Sequence, residues 1–119
     1  PWKIGKMTFI HGYKATPNAG GSAHSTWKDV GSGSFIMGHC HRSAIVQKRD
    51  WQGTHLAIEN PCLCDLNPDY VGKKGANWQQ GFTKIEWYGG NGFFQAYQYP
   101  IFKNRGKTHC YFNGEHITV

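Results

Sequence analysis

Seven histidines lie along this chain, at positions 11, 24, 39, 41, 55, 109 and 116. Imidazole changes charge near neutrality, so a pair of such groups can act as general acid and general base. The set best suited to that work is His55, His109 and His116 together with Glu59, Glu86 and Glu115. A metal-independent ribonuclease needs a base for the 2′-hydroxyl, an acid for the leaving oxygen and a cation at the phosphate, which Lys84, Arg105 or Lys107 could supply. His55, His109, His116 and Glu115 are therefore the catalytic candidates. The commoner role of histidine, as a half-buried strand or loop residue, is the competing expectation.

Four cysteines, Cys40, Cys62, Cys64 and Cys110, offer a second chemistry. An even count in a small glycine-rich chain points to two disulfides and an oxidising compartment. Cys62 and Cys64 are two apart, so on a strand they share a face and bond to different partners. Cys40–Cys62 with Cys64–Cys110, or Cys40–Cys64 with Cys62–Cys110, both remain open. Either arrangement closes one loop of about 20 residues and one of about 50, worth roughly 3–4 kcal/mol each by loop entropy. The rival is a metal: His39-Cys40-His41 and Cys62-Leu63-Cys64 offer five ligands. Zinc sites favour two thiolates three apart, which curl around one ion, and neither stretch has that spacing. Disulfides are expected ahead of zinc, and no metal or other cofactor is expected.

Tryptophans in polar turns suggest binding. Trp51-Gln52, Trp78-Gln79 and Trp87-Tyr88 each set a large ring beside a group that can orient hydroxyls or bases. These six residues are the candidate binding set, for a sugar or a nucleobase. The alternative is that the rings cap the ends of a small core. The formal net charge of +6 favours an acidic polymer as partner, although charge also serves solubility. Basic residues are dispersed, seven in the first sixty positions and six after, so there is no cationic arm.

These groups must be held by a compact framework. At 119 residues the chain suits one domain, 1–119. Aromatics make up 15% and glycines number 16, which excludes a disordered tail and argues against a helical bundle. No apolar run approaches the roughly 20 residues that span a bilayer as a helix, so membrane spanning is not expected. No G-x-S-x-G elbow, P-loop or H-E-x-x-H sequence occurs.

Alternation places strands at 2–10 (with a slip at Gly5), 34–37, 43–48, 54–58, 82–88, 93–99, 109–112 and 115–119. Residues 11–33 read as a long polar loop with a short strand around Trp27, and 59–81 as a second irregular stretch. Pro100 should end pairing or sit at an edge. Asn113-Gly114 predicts a two-residue hairpin turn, setting Tyr111 opposite His116 and Cys110 opposite Ile117. No apolar helical series exceeds one turn. The expected fold is all-β: an antiparallel β-sandwich or partly closed β-barrel with long loops and two disulfides.

Three resemblances attach to particular residues. Ala96-Tyr97-Gln98-Tyr99-Pro100-Ile101-Phe102 with Tyr111-Phe112-Asn113-Gly114 resembles the central sheet of small fungal guanyl-specific ribonucleases. Gln98 stands where that family carries its catalytic Glu, so the resemblance implies a ribonuclease-like sheet without the activity. Val46 to Gly53 looks like the folded hairpin of βγ-crystallin Greek keys, a fold that small microbial killer toxins share; Trp51 and Gly53 fit, while Val46 replaces the aromatic. The opening Trp2-Lys3-Ile4, the size and the cysteine count resemble small secreted fungal effector and allergen-type β-barrels.

A chain opening Pro1-Trp2-Lys3 is what removal of a signal peptide leaves, and also what a cut at this point would leave. With no complete catalytic motif, a binding protein is expected in preference to an enzyme. It would be a secreted, extracellular, basic microbial (fungal) effector, toxin or defence elicitor with a virulence role, acting on a host protein, glycan or cell surface. A secreted ribonuclease-like protein or nucleic-acid binder, and a small lectin, are the alternatives.

Overall fold

The structure is a computed structural model and describes residues 1–71 and 77–119. It is mostly β, with two sheets and one helix. The element order is β1 (Trp2–Ile4), β2 (Met7–Ile10), α1 (Gly21–Val30), β3 (Ser34–Met37), β4 (Ala44–Asp50), β5 (Gly53–Glu59), a 3-10 turn at Asp69–Val71, β6 (Gly81–Tyr88), β7 (Phe93–Asn104), β8 (Lys107–Phe112) and β9 (Glu115–Thr118).

The first sheet runs β1-β2-β3-β5-β4, and its central pairs, β2 with β3 and β3 with β5, are parallel. The expected antiparallel sandwich is corrected on this point. A parallel pair needs a crossover, and α1 supplies one between β2 and β3. The second sheet, β6-β7-β8-β9, is an antiparallel meander. Neither sheet closes on itself among the described residues, so there is no closed barrel.

Alternation sorts the first sheet into two faces. Phe35, Met37 and Ala57 meet Ala23 and Trp27 of α1, and Cys40 completes that cluster. Met7, Ile36 and Ile58 point the other way and pack on Ala96, with Ile85 and Phe94 of the second sheet against them. Covered by a helix on one side and a sheet on the other, Ser34-Phe35-Ile36-Met37 is buried throughout, as central parallel strands are. Burying each of the large side chains contributes about 1.5–3 kcal/mol.

Helix α1 replaces the loop expected over residues 11–33, and Trp27 is buried within it. Its inward stripe is Ser22, Ala23, Thr26 and Trp27. Mostly small and polar, that stripe escapes a search for apolar periodicity. Its amino end is completed from 36 and 39 residues away: the wholly buried Glu59 carboxylate accepts the Ala23 N–H and the Gly20 N–H, each at 2.9 Å. A buried anion at a helix amino terminus is stabilised by the orphan donors and the dipole. Glu59, a possible acid–base group on sequence, is thus a structural cap.

The segment 2–10 is a hairpin of two short strands turning at Gly5, whose φ is 55°. A Cβ at Gly5 would lie 2.9 Å from the Gly92 Cα, and Lys6 N–H donates to the Gly92 carbonyl at 3.0 Å, so this turn docks on the second sheet. Gln98 joins the sheets as well, donating from Nε2 to the Glu59 carbonyl at 2.7 Å and accepting from Ser43 Oγ at 3.1 Å. Strand β7 runs through Pro100, exchanging β6 for β8 as its partner there. The Asn113-Gly114 hairpin has the expected register.

The two expected disulfides are not seen in this structure, where all four cysteines are free. Cys40 is enclosed in the helix-side core, and Cys110 lies on β8 opposite Ile101 and Ile117. Cys62 and Cys64 lie in the β5–β6 connection, where the Cys62 thiol donates to the Gln79 carbonyl at 3.4 Å and Cys64 Sγ lies 3.9 Å from His41 Nδ1. Residues 72–76 of the irregular stretch 59–81, which include Gly72 and Gly75, lie outside the described residues.

Candidate functional site

Strands β2, β3 and β5 run in the same direction, so their carboxyl ends lie side by side. The residues just beyond those ends are His11, Gly38-His39-Cys40-His41 and Asn60-Pro61-Cys62. In sheets with parallel strands this edge is where ligand-binding crevices form. The three ends are tied together: Gly38 N–H donates to the His11 carbonyl at 3.1 Å, and Asn60 N–H donates to the Met37 carbonyl at 2.8 Å. An open cleft there is lined by Ile10, Met37, Gly38, Asn60 and Thr83.

The turn after β3 is strained. His39 has φ 43° and His41 has φ 55°, a left-handed conformation that costs a residue with a Cβ roughly 1–3 kcal/mol. The neighbours hold it. The His41 carbonyl accepts the Gln79 N–H at 2.9 Å, Ser43 N–H donates to Gln79 Oε1 at 3.0 Å, and the His41 ring stands edge-on to Trp78 at 4.4 Å between centroids. The His39 ring packs edge-on against His11 at 5.3 Å. Strain of this kind, with imidazoles on the strained residues, points to a functional turn.

Cys62 and Cys64 complete the cluster. Cys62 is pinned by a bridge to Gln80: its N–H donates to the Gln79 carbonyl at 3.0 Å and its carbonyl accepts the Gly81 N–H at 3.0 Å. Gln80 Nε2 donates to the Cys64 carbonyl at 2.8 Å. The ligand atoms of His41, Cys62 and Cys64 all lie within 4.8 Å of one another. Burial, and then the neighbouring Cys64 thiol, push the Cys62 thiol up from its ordinary pKa. Two sulfurs and an imidazole within this distance make a donor set that would suit zinc and other thiophilic ions. His11 and His39 add two nitrogens on the same edge.

The candidates from sequence divide between places. Trp78 and Gln79 support the strand-end turn. Trp51 stands fully exposed at the β4–β5 hairpin, and Gln52 accepts from Ser32 Oγ. Trp87 and Tyr88 are neighbours on β6 and point to opposite faces of the second sheet. His55 lies on β5, bonded through Nε2 to Asp50 Oδ1 at 2.9 Å. The Asp50 carboxyl is held below its usual range by that bond. His109 and His116 do come together, Nδ1 to Nε2 at 2.9 Å. Glu115, one residue from His116, faces the other side of β9, so the structure does not gather the four catalytic candidates at one point.

His11, His39 and His41 are the residues that acid–base reasoning passed over. The H-C-H triplet and the thiol pair were visible, but their separation in sequence hid that a strand end brings them together. Comparison with protein-family models, with curated proteins and with solved structures finds no match.

Proposed function

We propose that the protein is a metal-dependent hydrolase whose centre is the strand-end turn, acting on an anionic ester of the phosphate class. The observation that carries this is the convergence of His41, Cys62 and Cys64 within 4.8 Å, at the same strand-end edge that carries the His11–His39 ring pair. A bound ion with three protein ligands keeps one position for water and lowers the pKa of that water toward neutrality. His41, Cys62 and Cys64 would hold the ion, which would supply an activated water; His39, whose ring packs on that of His11, would give a proton to the leaving oxygen. The net charge of +6 favours an anionic substrate.

The test uses the full chain, stripped with chelator and reloaded with zinc, manganese or cobalt, against bis(p-nitrophenyl) phosphate. Hydrolysis should return only with metal and fall roughly 100-fold or more in His39→Ala, whose imidazole serves as the acid. Metal-independent hydrolysis, or none with any ion, overturns the proposal.

A second reading keeps the protein as a binding module, a secreted effector, toxin or lectin-like protein engaging a cell surface. Trp51, 101% exposed at a hairpin tip, favours it. A glycan array with wild type and Trp51→Ala tests that reading; silence from both ends it.

A further inference from the structure

Strand β7 outruns β6: Gly81 pairs with Pro100, Ile101 N–H donates to the Gln80 carbonyl at 2.9 Å, and residues 101–104 form their ladder with β8. On this overhang four rings line one face of the sheet. Phe102 lies directly opposite His109, and Tyr111 directly opposite His116. The rings are close to parallel, 18° between Phe102 and His109, 18° between His109 and His116, and 18° between Tyr111 and His116, with centroids 5.4, 5.1 and 4.5 Å apart. The ladder faces water: Phe102 is 40% exposed and Tyr111 58%.

Hydrogen bonds fix its middle. His109 Nε2 lies 3.3 Å from the Asn104 carbonyl, which can only accept, and His109 Nδ1 lies 2.9 Å from His116 Nε2, so one hydrogen bond to the backbone and one between the rings hold the pair. Aromatics on the opposite face are arranged otherwise. Phe82, Tyr99 and Phe112 are only partly exposed, and Phe112 stands edge-on to both others, covering their faces.

We propose that this ladder is a stacking platform for single-stranded nucleic acid. Phe102 stacks on His109 and Tyr111 on His116, and the outer faces of the exposed rings Phe102 and Tyr111 can extend that stack with nucleobases of any sequence, while a nearby cation meets the phosphates. Charge complementarity supports that occupant: between residues 100 and 119 three cations, Lys103, Arg105 and Lys107, stand against one acid, Glu115, and by strand alternation Lys103 and Glu115 both point to the other face. Lys107 lies opposite Asn104, on the ladder's own face.

Fluorescence anisotropy with a labelled 12-residue oligothymidine, titrated with the full chain at two salt concentrations, tests the proposal. Tyr111→Ala should weaken binding about tenfold, and Tyr111→Phe should bind as wild type, since stacking needs the ring and not the hydroxyl. Lys107→Ala should lower the slope of log affinity against log salt by about one. Tyr13→Ala, an exposed ring outside the ladder, should change nothing. Absence of oligonucleotide binding overturns the proposal, as does equal affinity of Tyr111→Ala. So would binding of a neutral oligosaccharide that Tyr111→Ala abolishes. Concentration-dependent self-association that Tyr111→Ala abolishes would assign the face to a second copy of the chain and overturn it too.

Discussion

Two histidine pairs in this molecule have opposite backbone settings. His39 and His41 stand in a left-handed turn where three strands end, close to two thiols. His109 and His116 stand in ordinary antiparallel strands and lie flat among Phe102 and Tyr111. Regular strands turn side chains in a fixed alternation, so the second pair can only form a row. The strained turn releases its residues from that alternation and turns an imidazole toward the thiols of a different segment. Strand ends make donor sets; strand middles make surfaces.

Removing what holds the turn should have the largest effect. Glu59 caps α1, and α1 covers the sheet whose strand ends carry the site. Glu59→Ala leaves the Gly20 and Ala23 N–H groups buried without an acceptor and should cost about 3 kcal/mol or more, read as a lower urea midpoint. A midpoint within error of wild type would show that the helix is capped in some other way.

The cysteines separate the two kinds of role next. Cys62→Ser should weaken metal binding about 100-fold, near 2.8 kcal/mol at about 1.4 kcal/mol per decade, with little change in stability. Cys40→Ser sets a hydroxyl in an apolar core and should do the reverse, costing about 1–2 kcal/mol of stability with metal affinity unchanged. Competition with a chromophoric chelator and urea unfolding read the two effects. Equal behaviour of the two variants would erase the distinction.

Gly81→Ala should cost about 2 kcal/mol by overpacking, because a Cβ there would lie 2.5 Å from the Tyr99 carbonyl oxygen. Since Gly81 N–H also donates to the Cys62 carbonyl, the variant should weaken metal uptake as well. The smallest effect concerns the loop after His11. Asp29 accepts from the Tyr13 hydroxyl and from Lys14, and these hold its carboxyl below the usual range. A depressed carboxyl contributes stability that is full above its unfolded pKa and lost as pH falls through the folded one. Asp29→Asn should therefore lose a little stability at neutral pH and flatten the acid side of the stability profile. An unchanged profile would free that loop from the helix.

Much of the framework was legible in the residues. Asn113-Gly114 announced its hairpin and register, and the alternation of 82–88 and 93–99 marked β6 and the first part of β7. Three features were not. Strand direction leaves no mark in periodicity, so β2, β3 and β5 gave no sign of being parallel. The helix carries Ser22 and Thr26 where a search looks for Leu, and its cap lies 36 residues downstream of Ala23. The site was half visible: His39-Cys40-His41 and Cys62-Leu63-Cys64 could be seen as ligands but failed a spacing rule for thiolates on one turn. That rule does not apply when the third ligand arrives from another strand end. Pro100, a stop signal in most strands, is tolerated because β7 changes partner there.

The central claim is that His41, Cys62 and Cys64 hold one ion. Titration of the reduced full chain with cobalt(II), followed by absorption, tests it most directly. One equivalent should give thiolate-to-cobalt charge transfer and the intense d–d bands of a tetrahedral site, and His41→Ala should weaken that binding by about 100-fold. Saturation of the chain with cobalt and no thiolate band, or a titration that His41→Ala and Cys62→Ser leave unchanged, would contradict it.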